Sequence, residues 1–156
     1  MTGTALSRSA RTSDAPRSVM LAAAAFVVAL LAGAGEALAR VAMTLERSDA
    51  DLSGLALGLA VRGAIYLFVF AVVVRMTRGD RMARLALALG LGVLGLASLL
   101  VEPLTSLAAD GLDLSVTPSS LALGSLRTIH VLAVLVAIPA MYASGAREYF
   151  ARRATP

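Results

Sequence analysis

Glu36 and Arg40 stand one helical turn apart inside a long apolar stretch, and Arg127 and His130 stand three residues apart inside another. Arg62 interrupts a third apolar stretch, and Glu102 closes a fourth. A single charge at mid-membrane costs about 2.5–3.5 kcal/mol, so residues of this kind pair with one another, line a polar cavity, or mark a route for ions or protons. Glu36 precedes Arg40 at i,i+4, the favourable order for an ion pair on one helix. Glu36 can also bridge to Arg62 or Arg127, with Glu102 neutralising another arginine. Three guanidiniums against two carboxylates leave one positive charge over. It either snorkels outward or receives an anion: a lipid phosphate, a carboxylate substrate or a partner's acidic group. His130 is the chain's single histidine; it reads first as a hydrogen-bonded interior residue and second as a proton relay. With no second nitrogen or sulfur ligand nearby, neither a metal nor a haem site is expected, and no cofactor. No nucleophile–base arrangement is visible, so the chain reads as a non-enzyme without catalytic residues.

These residues need four helices to carry them. The 156 residues are 58% hydrophobic and only 15% charged, with a mean hydropathy of +0.82, whereas soluble domains are about one quarter charged. A bilayer core of about 30 Å takes about 20 apolar residues per helix. The apolar blocks predict spans over 18–45, 52–76, 82–105 and 119–146: an all-α, membrane-embedded bundle of four transmembrane helices over 18–150. Residues 1–17 and 151–156 read as cytoplasmic tails, the first of them disordered. Ala37-Leu38-Ala39 imitates a signal-peptide cleavage site, but apolar sequence resumes at Val41-Ala42-Met43, so the first span is expected to remain. The absence of cysteine excludes disulfides and thiol chemistry.

All 14 basic residues are arginine. Three lie in the N-terminal tail, four in the 75–84 loop and three near the C-terminus, whereas the other two loops hold only Arg47. By the positive-inside rule both termini face the cytoplasm of a bacterial inner membrane. The basic charge thus fits membrane topology, and no nucleic-acid partner is expected. Counting about 1.5 Å per residue from the span ends puts Glu36, Arg62, Arg127 and His130 at one level, about 12–17 Å below the outer surface. Small residues line one face of each of three spans: Ala25, Ala29, Gly33 and Ala37; Gly54 and Gly58 leading to Arg62 and Tyr66; and Ala88, Gly92, Gly95 and Ser98 leading to Glu102. Such faces permit close helix contact. Pro139 frees a backbone carbonyl near Leu135, a tolerated kink.

The run Arg78-Gly79-Asp80-Arg81-Met82-Ala83-Arg84, with Arg127-Thr128-Ile129-His130 and the ending Ala146-Arg147-Glu148-Tyr149-Phe150, resembles the small four-helix integral membrane proteins of actinobacteria. Those often carry an R-G-x-x-W-A-R loop, and Met82 stands where they often have Trp. The resemblance covers the last two spans; it implies location and topology and transfers no catalytic residue. A glutamate in the first span also invites comparison with small multidrug-resistance exporters. Arginines beside Glu36 would repel their cationic substrates, and their aromatic cage is missing.

The expected role is a non-enzymatic accessory or structural membrane subunit. The alternative is a small oligomeric transporter or binding protein for an anionic or lipid-like ligand. The expected partners are the bilayer, an anionic lipid, and either further copies of the chain or another membrane protein.

Overall fold

The computed structural model describes residues 15–95, 97 and 117–152. Within them the chain is helical: α1 is Arg17–Leu45, α2 is Leu52–Thr77, α3 is Arg81–Leu87, a π-helical segment follows over Ala88–Gly95, α4 is Pro118–Tyr142 and α5 is Ser144–Arg152. Three of these, α1, α2 and α4, are long and apolar enough to cross a membrane. The 82–105 stretch behaves differently from the other blocks. Its described part is a short α-helix followed by π-helix, a form usually confined to single turns. Three glycines in eight residues weaken the α preference there. The wider turn also sets Gly92 against α4, where a Cβ would lie 2.5 Å from Ile138 Cδ1.

Local chemistry explains the helix ends. Asp51 accepts from the backbone N–H groups of Ser53 and Gly54 and starts α2. Asp80 does the same for α3 through Met82 and Ala83, and its other oxygen binds Arg75 at 2.7 Å. Gly79 has φ 90°, which the tight turn between α2 and α3 requires and which side chains resist. Thr117 and Ser120 form a capping box at the start of α4, with Pro118 in its first turn. The span expected over 119–146 is interrupted: Ala143 is extended and α5 begins at Ser144. Pro139 cannot donate to the preceding turn, and Ser144-Gly145 follows, so the last turns of α4 have little reason to continue.

α1 and α4 pack antiparallel along their length. Gly145 lies near Ser18 and Pro16 at one end, and Gly35 near Leu126 towards the other. The α1 small-residue face makes this contact: Ala25, Ala29 and Ala37 are buried, with Ala29 against Ala133 and Val134. The α2 face does not, because a Cβ on Gly58 would meet nothing within 4 Å.

The core is concentrated at the arginine-rich end. Phe26, Met76, Met141 and Phe150 are fully buried there, with Val19 and Val73. α5 closes this end with an apolar stripe of Ala146, Tyr149 and Phe150 at i, i+3 and i+4. Tyr149 Oη donates to the Thr77 carbonyl at 2.8 Å, and Arg81 Nε to the Phe150 carbonyl at 2.9 Å. The Arg84 guanidinium lies 4.8 Å from the Tyr142 ring centre and 4.6 Å from that of Phe150. Towards the 46–51 turn α2 leaves the core, and its only buried residues are Val73 and Met76. Its outward Leu57, Leu67 and Phe68 suit a hydrocarbon environment.

Candidate functional site

Where α2 departs from the core, a cavity of about 450 Å³ opens between α1, α2, α4 and the π-helical segment. Glu36, Arg40, Arg62, Arg127 and His130 all line it. Five of the six residues singled out in the sequence therefore converge on one space, and Glu102 lies outside the described residues. The N-terminal Arg8 and Arg11 and the acidic Asp110 and Asp113 lie outside them too.

Glu36 holds the centre. Its Oε1 accepts from Arg40 Nη2 at 2.9 Å and Nε at 3.3 Å, along one turn of α1. The same oxygen accepts from Arg127 Nη2 of α4 at 3.0 Å. The carboxylate thus joins an intrahelical pair to a bridge between two helices. Its side chain is only 13% exposed, while those of Arg40 and Arg127 keep 39% and 24%. The guanidiniums therefore face the opening while the carboxylate sits behind them.

Arg62 approaches from α2. Among the described residues it has no carboxylate partner. Three guanidiniums, one carboxylate and one imidazole are among the described groups that line the cavity. Partial desolvation strengthens the attraction of such a wall for an anion.

Tyr66 completes the ring, and it is the residue that sequence reasoning passed over as a site member. Its signal was its place one turn after Arg62. Gly33 allows the approach: a Cβ there would lie 3.4 Å from both Tyr66 Oη and His130 Nδ1. The missing side chain on α1 thus lets one hydroxyl and one imidazole, both able to donate hydrogen bonds, stand near the arginines.

Two smaller cavities adjoin this one. One of about 250 Å³ shares Arg40 and Arg62 and runs towards the 46–51 turn past Thr44 and Gly58. The other, about 350 Å³, shares Leu91 and Gly95 and runs the opposite way between α2 and α3 past Val69 and Leu87.

No protein-family model matches this chain, and no curated protein or solved structure matches it. The chemistry must be read from the cavity itself. It offers cations and hydrogen-bond donors around an open space.

Proposed function

We propose that this chain is a four-span inner-membrane protein that binds an anionic ligand, carboxylate or phosphate in chemistry, in the outer half of the membrane. The carrying observation is that Arg62 faces the cavity with no carboxylate partner among the described residues, beside the hydrogen-bond donors Tyr66 and His130. An arginine without a counter-charge is expensive at such depth, and a bound anion removes the cost. Four spans follow if Arg81–Gly95, which turns back from α2 and packs on α4, begins a third crossing. The orientation draws support from Arg75, Arg78, Arg81 and Arg84 gathering with α5 at one end, which the positive-inside rule puts in the cytoplasm.

The test is thermal unfolding of the full chain in detergent with phosphate, glycerol phosphate, acetate and phosphatidic acid added in turn. A ligand at about 100 times its Kd adds about 2.7 kcal/mol of stability. At least one anion should raise Tm, and Arg62→Gln should abolish the rise. No shift with any of them would overturn the reading.

A second reading, the accessory subunit, draws on α2. Gly58 and Gly63 meet nothing within 4 Å, and large apolar side chains surround them. A partner helix packed there would bury them. Copurification of a stoichiometric membrane partner, lost on Gly58→Leu, is its expected result; a lone monomer would count against it.

A further inference from the structure

Gly33 of α1 faces two hydrogen-bond donors at once. A Cβ there would lie 3.4 Å from Tyr66 Oη of α2 and 3.4 Å from His130 Nδ1 of α4. The two atoms are therefore at most twice that distance apart, and the glycine keeps the space between them clear. One oxyanion fits such a gap, with two of its oxygens each accepting a hydrogen bond of ordinary length. Among the described residues neither donor has a hydrogen-bond partner in the protein. Arg62 lies one turn before Tyr66 on the same wall and supplies a fixed positive charge.

Imidazole is the side chain that changes charge near neutral pH, and its surroundings decide when it does so. Arg62 and Tyr66 face His130 from α2, Glu36 and Arg40 from α1, and Arg127 from its own helix. The π-helical segment adds only Leu91 and Gly95, which carry no charge. Glu36, the one carboxylate among these, already accepts from Arg40 and Arg127. The Arg62 guanidinium opposes a further positive charge beside it, and an anion seated over Gly33 reverses that opposition. We propose that the site takes up its anion together with one proton from solvent, held on the His130 imidazole, whose Nδ1–H donates with the Tyr66 hydroxyl to the anion's oxygens. This rests on the anion-binding reading above and names a second ligand of the same site, the proton. The coupling is reciprocal: an anion that favours the imidazolium is bound more tightly where the imidazolium forms. Affinity is therefore highest on the acid side and falls as pH rises through the imidazole's range.

His130 is the chain's single histidine, so histidine-selective isotope labelling gives one imidazole signal by nuclear magnetic resonance. The full chain in detergent, made without a histidine tag, is titrated between pH 5 and pH 8.5 with and without dimethyl phosphate, whose own charge is constant over that range. Saturating anion should move the midpoint of the imidazole signal up by about one pH unit, and Kd, read from thermal shifts, should be about tenfold lower at pH 5.5 than at pH 8. His130→Gln keeps an N–H donor and loses the proton site, so it should bind with one affinity at both pH values. Tyr66→Phe should weaken binding at both and keep the tenfold ratio. An unmoved midpoint with the anion bound would overturn the proton link and leave the anion site standing; this observation needs no variant to fold. A pH ratio that persists in His130→Gln would overturn the role of His130. Binding of dimethyl phosphate at neither pH would overturn both the link and the anion site.

Discussion

Glu36 Oε1 accepts hydrogen bonds from two arginines, so neutralising it has two effects of opposite sign. Glu36→Gln takes the shared carboxylate from Arg40 and Arg127. Fully buried pairs cost about 3–5 kcal/mol when one partner is removed, and exposed ones under 1 kcal/mol. Partial exposure of both arginines puts the expected loss near 2 kcal/mol, read as a lower Tm of the ligand-free protein. The same change removes a negative charge from the cavity and should tighten phosphate-ester binding several-fold. Arg62→Gln should do the reverse: ligand-free Tm unchanged or higher, and the anion's stabilisation gone. Unfolding with and without ligand checks both, and parallel behaviour of the two variants would contradict the assigned roles. Much of this was legible beforehand. A carboxylate one turn before an arginine is a pattern in the chain itself, and depth counting aligned Arg62, Arg127 and His130 with it. Tyr66 was not legible as a member, because its place depends on how α2 is rotated against Gly33 and His130, which no spacing within α2 encodes.

The short α2–α3 turn and α5 carry much of what orders the arginine-rich end. Asp80 is held below its ordinary pKa, chiefly by the backbone N–H of Ala83 that it accepts, with further help from Arg75 and Met82. A carboxyl with a lowered folded pKa contributes its stability above the ordinary value and loses it as pH falls through the folded one. The protein should therefore lose part of its stability in acid, and Asp80→Asn should show a smaller Tm difference between pH 6 and pH 3. Equal acid sensitivity would assign the loss to other groups. Tyr149→Phe removes the bond to Thr77 and should cost about 1 kcal/mol. Phe150→Ala empties a fully buried position and should cost about 3–5 kcal/mol. Chemical unfolding of the two variants checks the ranking. The apolar blocks of α1, α2 and α4 announced themselves by length. The break at Ala143 was hidden, because no charge falls between Arg127 and Arg147 to mark it. Pro139 and Ser144-Gly145 weaken the helix there without marking the residue at which it stops. The π-helical turns were hidden as well, since glycine-rich sequence weakens an α-helix without saying what replaces it.

At the scale of the molecule, burial is graded from a packed end at α5 to an open end at the 46–51 turn. The absence of cysteine makes the orientation simple to examine with single introduced thiols. In intact cells Ser48→Cys should react with an impermeant maleimide and Ser144→Cys only after lysis; the opposite pattern would invert the topology. The gradient also bears on how the chain is made. Arg127 reaches Glu36 across 91 residues of sequence, so on the membrane-spanning proposal α1 would enter the bilayer long before α4 exists to pack against it. During that interval Glu36 has Arg40 one turn away, and the two form a local neutral couple that needs no other helix. Arg40 is then an escort for biogenesis as well as a wall of the finished cavity. Replacing it with alanine should lower the amount of chain integrated during synthesis by more than it lowers the melting temperature of the chain that does mature.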